Sequence, residues 1–285
     1  MKILVASDLS ARSDRAIARG FALAKELKGQ LRILHIVDQD LPEEFKAHSI
    51  EWAKGALKRE TERLSAETGV NAGFEVYAGH PETEILRQAD PSKTGLIVLG
   101  IHDRSKRGSH SFANTTAGQI LKFSLPPVLL VRDDVSEPYR QVVVGVDFSI
   151  FTRAAIQQAS HIAPAASFNL VHAYHVPFKG FISSEGFANE IAYEERLKID
   201  AFLSEEMQSL DRRARAMGLF AGGLNTILKE GVPSEVLRRE CASLGADLLI
   251  IATHGRPGAS RVIWGSVAVD FLDNPPCDVL VIRPY

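Results

Sequence analysis

One order of segments occurs twice along the chain, and this duplication limits the possible folds more than any other feature. The opening Ile3-Leu4-Val5-Ala6-Ser7-Asp8-Leu9-Ser10 returns as Val142-Val143-Val144-Gly145-Val146-Asp147-Phe148-Ser149. Ser13 and Ile17 return as Thr152 and Ile156, Ile33-Leu34-His35 as Leu170-Val171-His172, and Gly79-His80-Pro81 as Gly231-Val232-Pro233. Leu96 to His102 return as Leu248 to His254, and Val128 to Arg132 as Val279 to Arg283. Features that recur in order at a nearly constant offset mark an internal repeat, which decides the architecture before any single element is assigned. The polar stretch Asp133 to Tyr139, with Pro138 inside it, reads as the linker, so the copies span residues 1–137 and 138–285. The offset widens between His172 and Gly231, which places an insertion of the second copy around Phe178 to Ala192.

Within each copy, short apolar runs bounded by turn residues alternate with longer segments of helical period. That alternation is the pattern of βαβ units around a mainly parallel sheet covered on both faces. The expected fold is therefore α/β: two tandem doubly wound, Rossmann-like domains, each a five-stranded mainly parallel sheet flanked by helices. In the first copy the strands read as residues 2–7, 31–37, 73–78, 95–100 and 127–131. Ser13 reads as the N-cap of a first helix whose apolar stripe is Ile17, Phe21, Ala24 and Leu27, with Gly29 ending it. A long charged helix is expected over residues 42–68, with its counterpart over 188–217, and Pro81 and Pro233 each open a third helix.

Bulk properties exclude several function classes. A formal net charge of -2 gives no basis for binding a polyanion, so neither nucleic acid nor an anionic membrane is an expected partner. No run of apolar residues approaches the length that spans a bilayer, and Asp8 interrupts the opening apolar stretch too early for a signal peptide. Cys241 and Cys277 form no CxxC pair, which argues against a disulfide framework or a structural zinc site and for a cytoplasmic chain. Both cysteines read as small buried hydrophobes, and Trp52 and Trp264 as packing residues.

An open parallel sheet binds ligands outside the carboxyl ends of its strands, where the strand order reverses. After its fourth strand the second copy reads Ala252-Thr253-His254-Gly255, nine further residues to Trp264, and then Gly265-Ser266-Val267. Glycines let backbone amides approach an anion, and a helix opening at Gly265-Ser266 supplies unpaired N–H groups and a favourable dipole. Such a segment suits a phosphate chain, although a glycine loop by itself is as often only a turn.

The spacing resembles that of the universal stress protein family, whose nucleotide-binding members carry G-x2-G-x9-G-[ST] after the fourth strand. The second and third glycines and the hydroxyl match, while Ala252 replaces the first glycine. The resemblance covers both halves, including the first-strand Asp and the His that ends the second strand. It implies a tandem member that binds ATP, possibly with Mg²⁺. By position it implies that Gly145, Val146 and Asp147 flank adenine and ribose and that Ala173 lines the adenine pocket. Gly255, Gly265, Ser266 and Val267 would hold the phosphates, with Ala252 and His254 at the start of the loop. In the first copy Asp103 stands where the second glycine belongs and Asn114-Thr115 where Gly-Ser belongs, so that copy is expected to be a weak or dead nucleotide site. No catalytic residue is assigned.

Other readings of the same residues stay open. His102 and His254 either hydrogen-bond the loop backbone or touch a ligand, and His35 and His172 read as partly buried and structural. Asp8 and Asp147 either reach a nucleotide or Mg²⁺ or cap the next turn through Ser10 and Ser149. Three functions compete: an ATP-binding regulatory protein of the stress response, a slow ATPase, and a nucleotide-free scaffold that uses the tandem pair as a built-in dimer. The family resemblance further implies that Val279 to Arg283 pairs with Val128 to Arg132 within the chain, leaving homodimerisation and a protein partner undetermined.

Overall fold

A computed structural model of the 285-residue chain describes residues 1–101, 115–134, 137–174, 222–252 and 266–283, together with 197, 201, 204–205, 207–209, 211–216 and 218. The architecture is α/β. The strands are β1 Lys2–Ser7, β2 Gln30–Asp38, β3 Ala72–Gly79, β4 Leu96–Gly100, β5 Val128–Val131, β6 Gln141–Gly145, β7 Ser167–Tyr174, β8 Leu224–Glu230, β9 Leu248–Ala252 and β10 Asp278–Ile282. The helices are α1 Ala11–Glu26, α2 Glu43–Thr68, α3 Pro81–Gln88, α4 Thr116–Phe123, α5 Ile150–Ile162, α6 Pro233–Leu244 and α7 Ser266–Asp273.

The chain divides into two compact units, Met1–Pro138 with Ile250–Tyr285, and Tyr139–Leu249. In the first, the strands follow the order β3-β2-β1-β4-β5-β10. β1 pairs in parallel with β2 on one side and β4 on the other, and β4 in parallel with β5. β10 then pairs antiparallel with β5, Leu280 opposite Leu129. This pairing is why the last segment of the second copy groups with the first unit, and it gives β5 the intrachain partner expected of Val279 to Arg283. In the second unit the order is β8-β7-β6, again parallel.

The central strands are buried on both faces, as continuous apolar runs require: Leu96 to Val98, Leu129 to Val131 and Val142 to Val144 are inaccessible to solvent or nearly so. Helix α1 lies close against β1, since a methyl group on Gly20 would stand 2.5 Å from Val5 Cγ2. A helix-interior glycine costs roughly 1 kcal/mol relative to alanine, and here the close approach of helix to strand requires it.

Two local expectations need correction. The N-cap of α1 is Ser10, not Ser13; Ser13 lies one turn inside, where its Oγ accepts from Ser10 N at 3.0 Å. The turn that ends β1 is short, so the helix starts as soon as Asp8 has bonded Ser10. Trp52, expected to pack, is 58% exposed on α2, a 26-residue helix whose solvent face also carries Phe45. Cys241 and Cys277 are buried and free, as expected. The insertion around Phe178 to Ala192, and Trp264, lie outside the described residues.

Candidate functional site

In the first unit β1 sits between β2 and β4, so the chain leaves the sheet in opposite directions at their carboxyl ends. A cavity of about 450 Å³ opens there, reached by Asp8 from β1, Ile36 from β2, Gly100 from β4 and Thr116 from the start of α4. A topological switch point is where such a sheet must leave a crevice, because neighbouring connections diverge to its two faces.

The turn after β1 is built around Asp8. Its Oδ1 accepts from Ser10 N at 3.2 Å and from the Ser10 hydroxyl; its Oδ2 accepts from Arg12 Nε at 2.9 Å and from the second guanidinium nitrogen of Arg12. Partial burial works against ionisation, but the bonds from Arg12 and Ser10 outweigh it and hold the carboxyl down at about 2. Leu9 takes φ 59°, a left-handed conformation that is costly for a branched side chain and is maintained by the bonds on either side of it.

The second copy repeats the device with different donors. Phe148 takes φ 58°, and Asp147 Oδ1 accepts from Ser149 N at 3.0 Å, from Ser149 Oγ at 2.6 Å and from Thr152 Oγ1. Both aspartates therefore cap the turn that follows them. Each also remains exposed at a strand end, so this capping does not remove either from the surface a ligand would meet. Thr152 takes the place of Arg12 as the helix-borne donor. A hydroxyl in the first turn of a helix, two to five residues beyond a strand-end aspartate, is a sequence signal that had not been used to find these contacts.

His35 and His172 are structural in the same way. The His35 ring donates through Nδ1 to the Ser7 carbonyl at 2.8 Å, and the His172 ring to the Val146 carbonyl at 2.7 Å. Each locks the end of the first strand of its copy to the second. His172 also packs against Phe148, ring centroids 4.4 Å apart. Its burial lowers its pKa, opposed by the bond to Val146 and by the Asp147 charge.

Among the residues expected to hold adenine and ribose, Gly145, Val146 and Asp147 run consecutively off β6, and Val146 N donates to Val171 O of β7 at 2.9 Å. Ala173 follows His172 on β7 and is half-buried, so the small side chain lies beside the same strand ends. Ala252 ends β9. Ser266 and Val267 open α7, where a helix was expected to begin. His254, Gly255 and Gly265 lie outside the described residues, as do His102, Asp103 and Asn114 of the first copy.

The first glycine of the motif has a clear packing role in the first copy. A methyl group on Gly100 would stand 2.3 Å from the Arg12 carbonyl oxygen and 3.1 Å from Ser13 N, so β4 ends directly against the first turn of α1. That explains a glycine here without any phosphate. Thr115, in the position of the family's Ser, caps α4: its Oγ1 accepts from Gly118 N at 3.1 Å.

A second polar cluster was not anticipated. Arg19 of α1 and Asp278 at the start of β10 form an ion pair at 3.3 Å with side chains only 6% and 1% exposed. Asp278 Oδ1 also accepts from the backbone N–H of Arg132 at 2.8 Å and of Asp133 at 3.2 Å, and Arg19 donates to the Glu137 carbonyl at 2.9 Å. The counterpart of Arg19 in the second copy is Gln158, so the pair is made only once in the chain. Among the described residues no group of three or more His, Cys, Asp or Glu side chains gathers to hold a metal, and no helix is long and apolar enough to cross a membrane.

Comparison with known proteins agrees with the repeat. Universal stress protein E of Photorhabdus laumondii is 24% identical over 231 residues, covering 76% of this chain and 71% of that protein. A universal stress protein of Methanocaldococcus jannaschii is 29% identical over 146 residues, 51% of this chain and 82% of its own length. The crystal structure of a universal stress protein from Archaeoglobus fulgidus superposes with a TM-score of 0.71 at 18% identity, covering 99% of this chain and 97% of that one. The family model described as "Universal stress protein family" matches residues 1–132 and again 138–283. The chain therefore belongs to the universal stress protein family and carries two of its domains in tandem.

Proposed function

We propose that this protein is a cytoplasmic, adenine-nucleotide-binding regulator of the stress response whose second repeat, residues 138–285, holds ATP. The observation that carries this reading is the segment from Gly255 to Ser266, whose glycine spacing suits a phosphate chain, followed by a helix that opens at Ser266. Gly145, Val146, Asp147 and Ala173 are the residues suited to adenine and ribose: a glycine and an alanine leave room beside the strand ends, and the exposed Asp147 carboxylate can accept hydrogen bonds from ribose hydroxyls. Ala252, His254, Gly255, Gly265, Ser266 and Val267 are assigned to the phosphate side. Bound nucleotide would supply the negative charge that the helix N-terminus favours, and occupancy would bias partner choice. Residues 1–137 then serve mainly as scaffold.

Equilibrium dialysis of the purified chain against ATP tests this. Saturable binding is expected, with at least about tenfold loss in Gly265→Trp; binding that the substitution leaves unaltered refutes the site assignment, and no binding refutes the reading. Antiparallel pairing of β5 with β10 favours a second reading, a nucleotide-free tandem scaffold with its dimer contact built into one chain. Identifying any nucleotide released when the protein is heat-denatured separates the two. Multiple turnover of ATP, absent in Asp147→Ala, would instead make the protein a slow ATPase.

A further inference from the structure

The cavity of the first unit has the wrong chemistry for a phosphate chain and a suitable one for a different ligand. Its floor is apolar, formed by the buried Leu34, Leu99, Ile85 and Ile120, and Leu272 of α7 adds a wall from the second repeat. Asp8 and Arg12 are the ionised groups among its described lining residues, and they pair with each other, so the lining carries no net charge. An anion entering here would meet the Asp8 carboxylate while the guanidinium beside it is already engaged. At the start of α4, where a phosphate would seek free amides, Gly118 N already donates to Thr115 Oγ1. The hydroxyls of Ser7 and Ser13 bond to each other at 3.0 Å.

We propose that this cavity is a second ligand site, and that it takes an uncharged, mainly apolar small molecule with a hydrogen-bonding group at one end. At about 450 Å³ it lies within the range of small-molecule sites, which are mostly apolar with a few polar groups that fix orientation. The apolar body replaces water against Leu34, Leu99 and Ile120. The polar end meets the Asp8–Arg12 pair, which presents an acceptor and a donor side by side at the rim. Because Leu272 belongs to the second repeat, the ligand touches residues of both copies. The site is separate from the nucleotide site proposed for the second repeat and does not depend on it.

Titration of the full chain with Nile red, a neutral apolar dye, tests the proposal. A saturable rise in fluorescence is expected, not displaced by excess ATP, and at least about tenfold weaker in Ala117→Trp, which fills the cavity from the first turn of α4. Ile36→Trp fills it from β2 and should give the same loss; circular dichroism shows which variants fold, and either folded variant decides. Gly265→Trp in the second repeat should leave dye binding unchanged. No saturable rise, binding indifferent to a folded cavity-filling variant, or displacement by ATP would overturn the proposal.

Discussion

Replacing Asp278 should destabilise the chain more than any other single polar substitution described above. The carboxylate is 1% exposed, faces Arg19 at 3.3 Å and accepts two backbone N–H groups at the end of β5. Asp278→Ala leaves a guanidinium that is 6% exposed without its counter-ion and removes the acceptor of both amides. Breaking a buried pair by removing one partner costs about 3–5 kcal/mol. Asp278→Asn keeps an oxygen for the amides and loses only the charge, so it should cost about 1–3 kcal/mol less than alanine, the penalty of an unsatisfied buried group. Arg19→Met removes the cation from the other side, and in the Arg19→Met/Asp278→Asn double variant the two losses should fall short of additive by more than about 0.5 kcal/mol. Urea unfolding followed by circular dichroism, with wild type and three variants as a thermodynamic cycle, measures that coupling. A cost below about 1 kcal/mol for Asp278→Ala, or additive losses in the double variant, would refute the reasoning.

Further outcomes can be checked by similar means. Gly100→Ala should lower stability by about 1–3 kcal/mol in thermal melts, because its methyl would meet the Arg12 carbonyl; a neutral result would mean that α1 shifts freely. Thr115→Val should cost about 1 kcal/mol through loss of the α4 cap, and Thr115→Ser should restore most of it. The Asp8 carboxyl lies at about 2 in the folded chain against 3.8 for the free group, so its contribution is complete above 3.8 and is lost as pH falls through 2; Asp8→Asn should flatten that part of an acid-unfolding curve. His172 is shifted down, so the unfolded chain binds its proton more readily. Stability should fall as pH drops below 6.5, and His172→Gln should remove that slope.

The strands were legible because sheets buried on both faces require uninterrupted apolar runs, and Leu96 to Leu99 or Val142 to Val144 have no other plausible use. The repeat added a second reading of each element, which is why the Asp8 and Asp147 turns and the paired histidines stood out. What remained hidden depends on contacts without periodicity. Arg19 and Asp278 are far apart in sequence and come from different copies, so neither position hints at the other. Trp52 looked like a core residue by its chemistry, yet α2 buries only Ala53, Leu57, Thr61 and Leu64 as its narrow inner face. The first copy looked empty of function from its loop alone. Its cavity is formed by residues whose individual apolar character says only that they are buried.

The antiparallel contact of β5 with β10 also has a consequence for synthesis on the ribosome. When Val131 has emerged, the first repeat has all its own strands but an open edge at β5, and the strand that will cover it is still about 150 residues from being made. At roughly 5–20 residues per second that interval is on the order of ten to thirty seconds. For that time the nascent chain offers Val128-Leu129-Leu130-Val131, a short apolar strand with unpaired amides, to any neighbour on the same message. A chain stopped between the repeats should therefore need a chaperone, or a second truncated copy, to do what β10 does in the finished protein.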